Sequence, residues 1–175
     1  MAPNQKEALG QPAALEANVK SAGLGQLVVS NDPAETLIAY GLGSCVGVIA
    51  YDPTAKVGGL LHAVLPQHRN GDANLAKYVD TGIPLLLKEM AKLGARKANC
   101  LLYVVGGAEM LQVAGLANGF NIGSKNVQMA RAVAEREGLR LKEVDVGGNS
   151  GRTVKLEMQT GRVTVRTLGR GERTL

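Results

Sequence analysis

The chain has 175 residues, 45% of them apolar, and a net charge of +5 from 20 Lys and Arg against 15 Asp and Glu. That suits one domain with tails and enough apolar mass for a core. It excludes a membrane span, for which an apolar run of about 18 residues is absent, a signal peptide, since Met1-Ala2-Pro3-Asn4-Gln5-Lys6-Glu7 leads into no apolar region, and a disulfide framework, since the two cysteines are Cys45 and Cys100 alone. A reducing cytoplasm is the expected compartment. The 23 glycines are about twice the usual share and imply tight turns and close backbone approach.

Residues 1–25, rich in Ala, Gly and Gln, read as a loosely ordered leader ahead of a single domain over residues 26–168. Gln26–Ser30 reads as a strand that Asn31-Asp32-Pro33 breaks. Thr36–Tyr40 reads as a second strand running into Gly41-Leu42-Gly43-Ser44-Cys45. Val46–Tyr51 is short, apolar and β-branched, which favours a buried strand over a buried helical turn. Asp52-Pro53-Thr54-Ala55-Lys56 is a turn, and Val57–Leu65 is another apolar run, carrying Gly58-Gly59 and His62 and ended by Pro66. After a polar loop, Asn74 is placed to cap a helix whose Leu75, Tyr78, Val79, Leu86, Met90 and Leu93 recur near the helical period. Pro84 either kinks that helix or opens a second one, and Gly94 stops it.

Ala98–Val105 reads as a buried strand with Cys100 in its middle, followed by Gly106-Gly107-Ala108. Glu109–Ala117 reads as a short amphipathic segment and Asn118-Gly119 as a turn. Ser124 is a plausible cap for a helix over Lys125–Glu137 that turns Val127, Ala130, Val133 and Ala134 inward and stops at Gly138. Leu139–Val146 alternates as a half-buried strand does. Arg152–Gln159 and Arg162–Leu168 form a hairpin about Thr160-Gly161. Interspersed strands and helices predict an α/β (α+β) sandwich with mixed sheets and flanking helices. Arg162, Arg166, Arg170 and Arg173 near the C-terminus read as solvated bases, and residues 169–175 as a basic tail. They have no interleaved aromatics on which bases could stack, so nucleic acid is not an expected partner.

Cys45 and His62 are the one pair suited to nucleophilic chemistry near neutral pH. Cys45 follows a Gly-x-Gly-Ser turn, where uncovered backbone N–H groups can lower a thiol pKa or hold an oxyanion. The N–H groups of Gly43, Ser44 and Cys45 are the candidates for that role. His62 lies one strand away, close enough in the chain to act as general base and then general acid. Against this stand the common roles of a free cysteine as a small core residue and of a lone histidine as a hydrogen-bonded core residue. Cys100 reads as core and His68 as surface. The two histidines and two cysteines lack metal-ligand spacing, and the glycine-rich pieces lack the lysine of a phosphate-binding loop. Neither a metal nor a cofactor is expected.

Several ordered pieces carry a resemblance. They are Gly41-Leu42-Gly43-Ser44-Cys45-Val46, Tyr51-Asp52-Pro53, and Gly58-Gly59-Leu60-Leu61-His62-Ala63-Val64-Leu65-Pro66. They continue with Gly106-Gly107-Ala108, Asn121-Ile122-Gly123-Ser124-Lys125-Asn126, Asp145-Val146-Gly147-Gly148 with Gly151-Arg152, and Thr160-Gly161-Arg162-Val163. In this order they resemble the CheD family of chemoreceptor glutamine deamidases. The resemblance implies a cysteine hydrolase, with Cys45 as nucleophile and His62 as base, that converts receptor glutamines to glutamate and ammonia; some members also remove glutamyl methyl esters. It implies a fold similar to the deamidating cytotoxic necrotizing toxins, methyl-accepting chemotaxis receptors as protein substrates, and a CheC-type phosphatase as a partner. The family's third catalytic residue is a threonine six positions before the cysteine, and here that residue is Ala39. Two readings follow. Either the Ala39 backbone carbonyl, or a hydroxyl of Thr36 or Ser44, orients His62, or the protein is a non-catalytic module that docks on receptors or on the phosphatase. A smaller departure is Tyr103, where the family usually has lysine.

Overall fold

The computed structural model describes residues 18–110 and 121–175. Its strands are β1 (Asn18–Ser21), β2 (Gln26–Ser30), β3 (Glu35–Leu42), β4 (Val46–Asp52), β5 (Val57–Ala63), β6 (Leu101–Gly106), β7 (Arg140–Val146), β8 (Arg152–Glu157), β9 (Arg162–Thr167) and β10 (Gly171–Thr174). Its α-helices are α1 (Val79–Lys92) and α2 (Ile122–Glu137). The strands form two five-stranded sheets, ordered β1-β3-β8-β9-β10 and β2-β5-β4-β6-β7. β1 runs parallel to β3 and β6 parallel to β7, and the other pairings are antiparallel, so both sheets are mixed.

The second sheet is the middle layer, and its strands are apolar on both faces for that reason. From β4, Val46, Val48 and Ala50 pack with Val79, Ile83, Leu86 and Met90 of α1 and with Val127, Ala130 and Val133 of α2. Ile49 of the same strand and Leu60 of β5 pack the other way, against Leu37 of β3 and Val154 and Leu156 of β8. The glycine pair in β5 shows how closely the layers approach. A Cβ on Gly58 would lie 2.6 Å from Leu156 Cδ2 and Met158 Sδ, in the inter-sheet layer. One on Gly59 would lie 2.7 Å from Leu86 Cδ1 and 3.0 Å from Met90 Sδ, in the helix layer.

The two-sheet arrangement with flanking helices agrees with the expected α/β sandwich, and the details depart from expectation at several places. The residues read as a leader contain β1, which pairs with Glu35–Ile38, and Ala22 N–H then donates to Ile38 O at 2.8 Å. All four β1 side chains are exposed, so no apolar periodicity marked the strand. The rest of that leader, 1–17, lies outside the described residues. Cys100 is not mid-strand. A 3-10 turn over Lys97–Asn99 precedes it, β6 starts one residue after it, and its Sγ donates to Arg96 O at 3.3 Å. That turn is pinned by Arg96 N–H donating to buried Asp52 Oδ2 at 2.8 Å.

Asn74 does cap, but it caps a 3-10 turn over Leu75–Lys77 ahead of α1. Pro84 lies within α1, so one helix accounts for the stretch. Ser124 is not the cap of α2. The helix starts at Ile122, and Ser124 N–H donates instead to Glu109 Oε1 at 3.0 Å, an anion supplied from outside the helix to its positive end. The inward positions Val127, Ala130, Val133 and Ala134 are buried as expected. The basic tail contains β10, which adds to β9 as an edge strand. Arg162 bonds Glu157 and Arg173 reaches Asp145. The amphipathic segment and turn expected over 109–119 lie outside the described residues beyond Met110. Among the described residues no helix is long and apolar enough to cross a membrane.

Gly59→Ala should lower stability by about 1–3 kcal/mol, because the added methyl overpacks α1 against β5. A lower urea midpoint with an unchanged slope would show it.

Candidate active site

Cys45 sits between β3 and β4 in a turn whose carbonyls all bond inward. Gly43 O accepts from Ala108 N–H at 2.8 Å, and Cys45 O accepts from Gly107 N–H at 2.8 Å. Ser44 O accepts from Asn126 Nδ2 at 2.9 Å. The segment after β6 can approach this closely only because it is glycine. A Cβ on Gly106, at φ +107°, would lie 2.4 Å from Cys45 O. Gly107, at φ +64°, meets the start of α2, where a Cβ on Gly123 would lie 2.5 Å from Gly107 O. Three stretches far apart in the chain therefore meet at the cysteine turn, and Cys45 itself is only 9% exposed.

Spacing and residue type in the sequence do not single out Asn126 beyond its place in the Asn121–Asn126 motif. Its side chain is fully buried, and Nδ2 also donates to Val64 O at 3.0 Å. The readable signal was a polar residue on the inward stripe of α2, beside Gly123, Val127 and Ala130.

His62 lies on β5 opposite Gly47 of β4, with Gln26 of β2 on its other side. Side chains alternate along a strand, so His62 shares the inter-sheet face with Leu60. Cys45 precedes Gly47 by two residues and belongs to the same inter-sheet layer. Cys45 stands one residue before β4, whose ladder with β5 begins at Val46 opposite Ala63, so the turn that carries the cysteine adjoins the strand that carries His62. Over Gly47 the inter-sheet space is filled by Leu42 and Val154, whose Cδ1 and Cγ1 would lie 2.9 Å and 3.2 Å from a Cβ placed there.

His62 Nδ1 is 3.0 Å from Ala22 O. A carbonyl only accepts, so Nδ1 carries the proton and Nε2 keeps its lone pair in the neutral ring. Nε2 is buried and has no hydrogen-bond partner among the described residues. The carbonyl that orients His62 is therefore that of Ala22, and not that of Ala39, nor a hydroxyl of Thr36 or Ser44. Ala39 is buried in β3 and pairs with Val154 of β8. β1, which the sequence reading did not contain, carries Ala22 alongside β3 and up to the ring. His62 also forms part of the wall of a pocket of about 340 Å³, bounded by Ser21–Leu24 and Tyr40–Gly41. Leu24 and Tyr40 on its rim are exposed.

Burial raises the Cys45 thiol pKa, opposed by its own backbone N–H. Burial lowers the His62 pKa, opposed by the Ala22 carbonyl. Both directions favour a neutral thiol and a neutral imidazole. Burial, with Asp52 nearby, pushes the Cys100 thiol up to about 11, which leaves it unreactive at neutral pH.

The family model described as CheD chemotactic sensory transduction matches residues 64–167. A protein of Symbiobacterium thermophilum named "Probable chemoreceptor glutamine deamidase CheD" is 41% identical over 160 residues, covering 90% of this chain and 97% of its own. The chain belongs to the CheD family. A CheD of Pyrococcus horikoshii with the same name is 48% identical over 138 residues, 76% of this chain and 83% of its own. Among solved structures, YlmD from Geobacillus stearothermophilus is similar at a TM-score of 0.45 and 11% identity, over 76% of this chain and 60% of that one. The C-terminal domain of CNFy from Yersinia pseudotuberculosis is similar at a TM-score of 0.37 and 7% identity, over 90% of this chain and 61% of that one. The glycines and Asn126 around Cys45 lie in pieces that carried the resemblance to the CheD family.

The lowered His62 pKa makes stability depend on pH. The unfolded chain, with an ordinary histidine pKa near 6.5, takes up a proton before the folded protein does. This contribution is therefore fully present above pH about 6.5 and is lost as pH falls toward the folded value. His62→Gln should flatten the urea midpoint between pH about 7.5 and 5.5 relative to the parent protein. Equal slopes in the two proteins would contradict it.

Proposed function

We propose that the protein is a chemoreceptor glutamine deamidase that acts in the cytoplasm on methyl-accepting chemotaxis receptors, with Cys45 as nucleophile and His62 as base. The names of its relatives support the activity. The observation that supports the residue assignment is the state of the His62 ring: Nδ1 is tied to the Ala22 carbonyl, and the buried Nε2 lone pair is uncommitted among the described residues.

In this reading His62 Nε2 takes the Cys45 proton and the thiolate attacks the side-chain carbonyl carbon of a receptor glutamine. The oxyanion forms against the N–H groups of the Gly43-Ser44-Cys45 turn. It collapses with loss of the C–N bond, and His62 passes its proton to the departing nitrogen, which leaves as ammonia. A water deprotonated by His62 then attacks the thioester, releasing glutamate and restoring the Cys45 thiol. The missing hydroxyl at Ala39 leaves the ring still oriented, because a main-chain carbonyl does that work. A CheC-type phosphatase is the further partner this reading carries.

Cys45→Ala should reduce ammonia release from receptor cytoplasmic domains by on the order of 10³-fold or more, because nucleophile and base act as a unit, and Cys100→Ala should be nearly silent. Mass spectrometry of the receptor would follow glutamine becoming glutamate. Release by Cys45→Ala at the parent rate would overturn the assignment, and receptor binding by the parent protein with no conversion would favour the non-catalytic docking module.

A further inference from the structure

We propose that Asn126 is a positioning residue that aims the Ser44–Cys45 peptide so that the Cys45 N–H serves the oxyanion. The inference rests on the reading of Cys45 as an acyl-accepting nucleophile. In a planar trans peptide the C=O and the N–H point in opposite directions. The Ser44 carbonyl points into the protein at Asn126 Nδ2, 2.9 Å away. The N–H of the same peptide, which belongs to Cys45, therefore points outward. It faces the residue's own thiol, where it acts to lower the thiol pKa. That is the side on which a carbonyl attacked by Sγ would develop its negative charge.

The neighbouring carbonyls of Gly43 and Cys45 are held by main-chain donors, Ala108 N–H and Gly107 N–H. The Ser44 carbonyl depends on a side chain. Without it nothing among these contacts opposes rotation of that peptide, which would turn the N–H inward. The same Nδ2 reaches Val64 O at 3.0 Å, two residues beyond His62. One buried amide thus ties the nucleophile's turn to the strand of the base. Two carbonyls can only accept, so Nδ2 must face them, and Oδ1 is left buried with no partner among the described residues. A residue kept for packing alone would not need that arrangement.

Two reagents separate aiming an oxyanion donor from holding up the fold, neither needing a receptor, and both applied in a Cys100→Ala background so that only Cys45 is read. p-Nitrophenyl acetate acylates Cys45 by attack of Sγ on the ester carbonyl, through a tetrahedral oxyanion that expels p-nitrophenolate. Iodoacetamide alkylates the same sulfur by displacing iodide at a saturated carbon, with no oxyanion. Loss of a single oxyanion donor costs on the order of 10²–10³ in rate. Asn126→Ala should therefore slow acylation by roughly that factor, with alkylation changed less than about threefold and receptor deamidation falling in step with acylation. Asn126→Asp keeps the volume but sets an oxygen against both carbonyls; it should show the same selective loss and provides the readout if the alanine variant does not fold. Acylation and alkylation falling together, or neither moving in a folded variant, would overturn the proposal. A parent protein that acylates readily but leaves receptor glutamines intact would overturn the deamidase reading instead, and the reagent comparison would still decide the role of Asn126.

Discussion

The inward hydrogen bonding of all three carbonyls in the Gly43-Ser44-Cys45 turn is the constraint on which the rest of the site depends. A turn at the end of a buried strand has to satisfy its polar groups, and here the donors come from outside the turn. Two are main-chain N–H groups of Gly107 and Ala108, and one is the Asn126 amide. For those donors to reach, β6 must lie beside β4, and the start of α2 must touch the Gly106-Gly107 step. Both contacts are too close for any Cβ, which is why Gly106, Gly107 and Gly123 are required there. The chemistry of the cysteine is therefore set by residues about sixty and eighty positions later in the chain.

The histidine is held on a different principle. Its partner is the Ala22 carbonyl, so the identity of the side chain at the orienting position is irrelevant to the hydrogen bond. What matters is that β1 pairs in parallel with β3 and delivers Ala22 to the ring. Because the partner is neutral, it fixes the tautomer and ring direction without supplying charge to stabilise an imidazolium. Burial then depresses the His62 pKa while it raises that of Cys45. Both shifts favour the uncharged forms of the two side chains. An expectation built on a threonine at the Ala39 position looks in the wrong strand, since Ala39 is occupied with packing between the sheets.

Much of the scaffold was legible in the chain. Val46–Asp52 and Val57–Ala63 are short apolar runs because they form the middle of three layers and are buried on both faces. The hairpin of β8 and β9 announced itself by alternation about Thr160-Gly161, and α2 by its inward Val127, Ala130 and Val133. The misses share a cause. β1 and β10 are edge strands whose side chains are all exposed, and their pairing is made by backbone groups that any residue possesses. Cys100 sits after a 3-10 turn rather than in a strand because Asp52, nearly fifty residues earlier, captures Arg96 N–H.

What the amino-acid sequence determined by itself was the cast and much of its local structure. A thiol in a glycine-rich turn, an imidazole on the next strand and glycines at the points of closest approach are properties of side chains and of their absence, and they are written in residue types. Tertiary structure decided the relations that run through the main chain. Which carbonyl holds His62, which amide holds the Ser44 peptide, and which way the Cys45 N–H faces depend on where distant backbone atoms come to rest. Backbone carbonyls and N–H groups are the same at every non-proline position, so no reading of residue types could single out Ala22.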